Sequence, residues 1–328
     1  MVAEEGFAVL LNQIITNTCY QLQQINGIII IVRRRLKRLR KKLGIKTTPS
    51  NRHIQKRKKK RQERGLDWVW NLDDYELYES TSLFRPMFNT LCNIAIEYSE
   101  HKIVNSMTIP SMVYLCLYWL KEYPSYSTIG KIFRISKPTA SRIIHNLLPL
   151  LASKASDIIW PNSPNIHSFE GVSGAIDCTS HFRNRIHPGS TLLYRSDKRG
   201  HFLTCQAVCS LSGEIWRVDI SFGHNNDQGV FNLSGLREEL EKTNIKLLAD
   251  GGYSHINLIT PINGRDDYNA ELSGKRSVVE TVFARVKFFK AATYQFHHNI
   301  ILQLYSLLLA YKLTNLKIKA SPIRITQE

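Results

Sequence analysis

Three acidic residues of the sequence lie where a fold could hold their carboxylates in fixed positions. Asp177 closes the short apolar run at residues 174–176, and Asp250 closes a second run at residues 247–249. Short apolar runs bounded by turn residues predict buried strands, each ending here on a carboxylate at a sheet edge. Glu280 lies in an apolar-periodic segment that predicts a helix. Clustered carboxylates repel one another unless a cation neutralises them, so the three acids predict a divalent-metal site.

The chemistry expected of such a site is phosphoryl transfer. Mg²⁺ and Mn²⁺ prefer oxygen ligands, and two such ions about 4 Å apart can activate a water or 3′-hydroxyl and stabilise the leaving oxygen. We expect Asp177 to bridge both ions, with Asp250 and Glu280 holding one each. Taken singly, the two aspartates could be turn residues. Glu280 could equally be a solvated helix residue paired with Arg276 or Lys287.

A second pattern, at residues 127–144, predicts a helix, a tight turn and a second helix. Ser136 is suited to cap the second helix, and Pro138 is tolerated in its first turn. Short polar or basic side chains at this end of a helix are typical of a recognition helix in the DNA major groove. The predicted DNA-binding residues are Lys137, Thr139, Ser141 and Arg142. The alternative is an ordinary helical hairpin.

The charge of the chain favours a polyanionic partner. Its 44 Lys and Arg against 27 Asp and Glu give a formal net charge of +17, and much of the excess lies in residues 33–64. Such an arm suits nucleic acid and a nuclear protein, with the cytoplasm as a second location; a solvated tail is the alternative. The six cysteines form no C-x-x-C pair, so a reduced compartment is expected and a zinc site is not.

The order of predicted elements is that of an α/β fold with a mixed sheet. We expect the Asp177 strand to lead into a polar loop carrying Arg183. A hairpin turned at Ser212-Gly213 is predicted to follow this loop. Helices are predicted at residues 228–242, 275–290 and 299–316, with a polar loop at 264–269. The predicted domains are a basic arm at 1–65, a helical domain at 66–160, a catalytic domain at 161–320 and a tail at 321–328.

The motifs around the three acids resemble one known family. Residues 174–179, 248–253 and 276–287, in this order and spacing, resemble the DDE-type transposase domain of PIF/Harbinger elements and their domesticated nuclease relatives. The resemblance implies an RNase H-like catalytic domain behind a helix-turn-helix, a divalent metal cofactor, and DNA cleavage with strand transfer. It also implies a further metal ligand, which Asp227 in residues 223–231 matches. A separate Myb-like partner protein and a homo-oligomer are implied as well.

The expected function is therefore that of a metal-dependent DNA endonuclease or transposase. The rival is a domesticated, catalytically inactive protein that keeps only its DNA-binding parts, although the complete set of carboxylates argues against it. A third reading, a membrane-surface protein using residues 25–42, rests on an apolar run followed by arginines. That run is too short to span a bilayer, which needs about 20 residues.

Overall fold

A computed structural model describes residues 71–98, 107–187 and 190–323. The basic arm, residues 25–42 and the C-terminal tail from residue 324 lie outside these ranges. Within them, no helix combines the length and the apolar character needed to span a bilayer.

The N-terminal part of the described chain is a group of five helices. They are α1 (Asp74–Thr81), α2 (Arg85–Tyr98), α3 (Ile109–Glu122), α4 (Tyr126–Ile132) and α5 (Lys137–Lys154). The side chain of Thr108 caps α3, and Pro110 stands in its first turn. Helix α3 is apolar on nearly every side because it packs against the other helices, and Trp119 near its C-terminal end is fully buried.

Helices α4 and α5 form the predicted helix-turn-helix. Ser136 caps α5 by accepting a hydrogen bond from the backbone N–H of Thr139. The turn is tight because Gly130 lies close beneath the chain that follows it. A Cβ at this glycine would come within 2.7 Å of the Ile135 carbonyl oxygen, so a larger residue would push the two helices apart.

The C-terminal part is built on one six-stranded sheet. Its strands are β1 (Gly174–Arg183), β2 (Tyr194–Arg195), β3 (Gly200–Ser210), β4 (Ile215–Phe222), β5 (Leu247–Leu248) and β6 (Leu258–Ile259). They follow the order β2-β3-β1-β5-β6, and β4 also pairs with β3. β1 pairs antiparallel with β3 and parallel with β5, so the sheet is mixed. The predicted hairpin is confirmed in β3 and β4.

Six helices complete this part of the chain within the described residues. They are α6 (Ser190–Leu193), α7 (Asp227–Leu233), α8 (Leu236–Thr243), α9 (Asp266–Val286), α10 (Lys290–Thr293) and α11 (Ile300–Ala320). Because side chains alternate along a strand, each sheet face has its own core. Ala175 packs in the core shared with α9 and α11, and Ile176 packs in the one shared with α7 and α8. The predicted mixed α/β fold with a preceding helix-turn-helix is confirmed.

The first core continues from the sheet into the helical part, since Trp119 and Leu151 belong to the same cluster as Ala175. The predicted domain boundaries therefore stay predictions.

The strand that carries Asp177 is longer than predicted. β1 does not end at the aspartate but pairs with β3 as far as Arg183, so the prediction of a loop beginning there was wrong. The polar residues of this stretch are buried because the fold supplies partners for them. Arg183 is buried and donates to Oε1 of Gln303 at 2.8 Å. Nδ1 of His181 donates to the Ala292 carbonyl oxygen, 2.6 Å away, and burial lowers the pKa of His181 to about 4.

Two helix predictions also differ from the structure. The single helix predicted at residues 228–242 is two helices, because Gly235 takes a left-handed backbone conformation with φ of 72°. The predicted loop at 264–269 is largely helical, since α9 begins at Asp266. Asp266 and Asp267 stand in its first turn, where the helix dipole favours negative charge.

Candidate metal centre

The parallel pairing of β1 with β5 brings Asp177 and Asp250 side by side. Ala175 is paired with Leu248 across the two strands, and each aspartate is the second residue after its member of that pair. Residues two apart along a strand point to the same face. Asp250 has left the strand and sits in a turn, where its Oδ1 accepts the backbone N–H of Gly252 at 2.8 Å.

Asp227 reaches the same place from the opposite face of the sheet. It is the first residue of α7, whose start is fixed by the side chain of Asn226, which accepts from the N–H of Gly229 at 2.8 Å. The Asp227 carboxylate also interacts with the Cys178 thiol, which lies next to Asp177 on β1. The structure thus places Asp227 at the start of a helix.

The three aspartates form one cluster of potential oxygen ligands. One carboxylate oxygen from each of Asp177, Asp227 and Asp250 lies within 4.8 Å of the others. Burial raises the pKa of Asp177; the Cys178 N–H and the Arg276 guanidinium oppose this shift, whereas the two neighbouring aspartates add to it. Burial, and after it the charge of Asp250, raises the pKa of Asp227. The site therefore concentrates negative charge that is costly without a cation.

Glu280 stands outside this cluster but is linked to it by one arginine. Arg276 donates from Nη1 to Oδ2 of Asp177 at 2.9 Å and from Nη2 to Oε1 of Glu280 at 3.1 Å. Arg276 and Glu280 are one turn apart on α9, so the pairing that the sequence left open is present. The guanidinium lies between the two carboxylates and neutralises part of their charge.

A buried tyrosine contacts the residue that follows Asp177 on β1. The hydroxyl of Tyr253 lies 3.4 Å from Sγ of Cys178, and the residue is 4% exposed. Burial raises the pKa of both groups, which keeps the phenol and the thiol neutral at physiological pH. Neither residue was predicted as part of the site. The sequence signal that could have indicated Tyr253 is its position three residues after Asp250.

The donor set suits a hard divalent cation. All three aspartates offer carboxylate oxygens, the ligands that Mg²⁺ and Mn²⁺ prefer, and Asp177 and Asp227 are partly buried. Histidines and cysteines suited to zinc are not part of this group in the described ranges. A cation here would offset the mutual repulsion of the carboxylates.

The predicted DNA-binding residues lie at the start of α5 with different degrees of exposure. Lys137 and Arg142 are exposed, whereas Thr139 and Ser141 are half-buried. The Thr139 hydroxyl lies 2.9 Å from that of Ser136, and Ser141 hydrogen-bonds to Tyr126. The two basic side chains are thus the ones most free to contact a ligand.

We expect Asp227→Asn to raise the melting temperature of the metal-free protein at pH 7. The pKa of Asp227 is raised in the folded state, so over the window above its ordinary value of 3.8 the folded protein binds more protons than the unfolded chain. Stability falls as pH rises through that window, and the uncharged asparagine escapes this loss. The expected gain is on the order of 2–4 °C, or about 1 kcal/mol for a chain of this size.

The measurement is thermal unfolding of both proteins in EDTA between pH 4 and pH 8. The gain should shrink as the pH approaches 4, and Glu97→Gln, an exposed carboxylate change on α2, should show none. A gain that is equal at every pH would contradict the assigned cause.

Comparison with protein families finds two matches. Residues 176–310 match a family described as DDE superfamily endonuclease, and residues 105–157 match the helix-turn-helix of DDE superfamily endonuclease. The first match begins one residue before Asp177 and includes all four predicted acidic residues. The second covers α4 and α5. A search of curated proteins found no match to the chain. The mixed sheet behind a helix-turn-helix is consistent with an RNase H-like fold.

Proposed function

We propose that this chain, which carries a DDE superfamily endonuclease domain and the helix-turn-helix of such an enzyme, cuts DNA with the help of divalent cations. The observation that carries the proposal is the convergence of Asp177, Asp227 and Asp250 within the matched domain. Three neighbouring carboxylates on rigid elements repel one another, and a bound cation would offset that cost. They suit the electrostatics of phosphoryl transfer, in which developing negative charge must be stabilised.

Each acidic residue has a proposed role. Two cations would be held by these residues. Asp177 would contribute to both, Asp227 and Asp250 to one, and Glu280 to the other once Arg276 releases Asp177 and Glu280. When bound, such cations polarise the phosphoryl oxygens and lower the pKa of an attacking water. The rigid strand and helix starts fix the carboxylates in advance, so little reorganisation is needed during the reaction.

The substrate in this proposal is double-stranded DNA. Lys137 and Arg142 extend from the start of α5, where a helix-turn-helix presents side chains to the major groove. Thr139 and Ser141 would contribute after rotating away from their present partners. The basic arm supplies sequence-independent attraction to the backbone.

The narrower assignment to the PIF/Harbinger type rests on the three motifs of the sequence, and with it come strand transfer and a Myb-like partner. Action as a homo-oligomer follows if two element ends must be cut together. A nuclear location is proposed from the basic clusters at residues 33–42 and 56–61.

Nicking of supercoiled plasmid DNA tests the proposal. We expect the wild-type protein to relax the plasmid in Mn²⁺ or Mg²⁺ and to leave it intact in EDTA. The protein should bind the DNA under both conditions. Binding without nicking under any metal condition would contradict the proposal and favour the inactive DNA-binding alternative.

A further inference from the structure

A group of hydrogen-bond donors surrounds Ser180 of β1, near the carboxylate cluster. Ser180 is two residues after Cys178 and points to the same face of the sheet, which places it about 7 Å from the thiol that contacts Asp227. Two cations meet at its hydroxyl oxygen. Arg195 donates from Nη1 at 3.0 Å, and Lys198 donates from Nζ at 2.8 Å.

These contacts leave the Ser180 hydroxyl hydrogen directed away from both cations. A serine oxygen has two lone pairs and one hydrogen, and here two donors use both lone pairs. The hydroxyl must therefore act as a donor. No acceptor for it is present among the residues that the structure describes.

Lys198 has donors to spare in the same place. Its ammonium carries three hydrogens, and the Ser180 contact uses one. In the described part of the chain, no carboxylate lies within ion-pair distance of it, since Asp197 is held by Arg195 through two contacts of 3.0 and 2.9 Å. Partial burial, and next the charge of Arg195, lowers the pKa of Lys198. An anion would complete this arrangement.

The geometry points to a binding subsite for a DNA backbone phosphate, formed by Ser180 and Lys198 and held in shape by Arg195. It rests on the proposed function for its substrate, and it places a phosphate beside the bond to be cut. Phosphate oxygens accept from both hydroxyl and ammonium donors. Lys287 lies within electrostatic range of Lys198 and brings a further basic side chain to this region. A phosphate held here would fix the register of the strand against Asp177.

The alternative role for Lys198 is to offset the charge of Asp227, which lies within its electrostatic range. The two roles predict effects on the binding of different ligands. A phosphate subsite affects the affinity for DNA in the absence of metal, whereas an offsetting charge affects the affinity for metal in the absence of DNA.

The test is binding of the full chain to a 30-base-pair duplex of arbitrary sequence in EDTA, over a range of salt concentrations. Lys198→Gln should reduce the slope of log affinity against log salt by about 1, the value for one lost phosphate contact. Ser180→Ala should weaken binding without any change in protein charge, and Ser180→Thr should retain the wild-type affinity. The matched control is Lys319→Gln, since Lys319 already has Glu214 at 3.1 Å.

A second readout uses the folded wild-type protein alone. Acetic anhydride should acetylate Lys198 in the free protein, and bound duplex should protect it, while Lys319 is acetylated equally in both. A Lys198→Gln slope equal to that of the control, or equal acetylation of Lys198 with and without DNA, would overturn the subsite. Neither readout measures cleavage. If the protein does not nick DNA, that result contradicts the nuclease proposal, whereas the two binding readouts still test the phosphate subsite.

Discussion

Asp177→Asn should lose metal-dependent nicking by on the order of 10³-fold. The aspartate is one of the three residues of the carboxylate cluster, and asparagine cannot supply its charge to a cation. A bound cation contributes several kcal/mol of charge stabilisation in the transition state, and each 1.36 kcal/mol corresponds to a factor of ten in rate. The measurement is the initial rate of plasmid nicking in Mn²⁺.

The asparagine variant keeps the local structure of β1. Its side-chain oxygen can still accept the hydrogen bond from the backbone N–H of Cys178, which in the wild type goes to Oδ1 of Asp177 at 2.7 Å. DNA binding in EDTA should therefore match that of the wild type. Glu97→Gln provides the control for a neutralised carboxylate outside the site. Nicking by Asp177→Asn at the wild-type rate would show that the carboxylate cluster takes no part in the reaction.

Glu280→Gln should also lose nicking, by roughly 10²-fold, but should keep metal binding at the three aspartates. Glu280 lies outside their cluster and contacts it only through Arg276. We therefore expect Mn²⁺ to raise the melting temperature of this variant as it does for the wild type. At 100 times its dissociation constant, a ligand contributes about 2.7 kcal/mol of stability. The two measurements are nicking rate and melting temperature with and without Mn²⁺.

Asp250→Asn is the contrasting variant, because it should lose both the nicking and the Mn²⁺ effect. The fold should tolerate Glu280→Gln, since its ion pair with Arg276 is partly exposed and such pairs contribute about 0–1 kcal/mol. Full nicking activity in Glu280→Gln would mean that the three aspartates alone perform the reaction.

Much of the site could be predicted because its residues stand in simple local patterns. An apolar run followed by an aspartate occurs at both Asp177 and Asp250, and the parallel pairing of the two runs gives the aspartates equal positions. The sequence could not show that pairing. It also could not show that Arg276 would join Asp177 to Glu280, since one of the two contacts spans 99 residues.

The error at the end of β1 concerns polar residues whose partners are distant in the chain. The stretch from Thr179 to Arg183 reads as a loop because a polar run normally requires solvent. In the folded protein His181 instead meets Ala292 and Tyr311, which are 111 and 130 residues away. The group formed by Ser180 and Lys198 was missed for the same reason. Neither residue type nor spacing relates a strand serine to a lysine 18 residues later.

The most direct measurement of the central claim is anomalous diffraction from crystals of the wild-type protein soaked in MnCl₂. We predict an anomalous peak between the carboxylates of Asp177, Asp227 and Asp250, at roughly 2.1 Å from the coordinating oxygens, close to the distances of Mg²⁺ sites. Crystals of Asp177→Asn treated identically should lack the peak. Manganese bound elsewhere on the protein, with none at the three aspartates, would contradict the account.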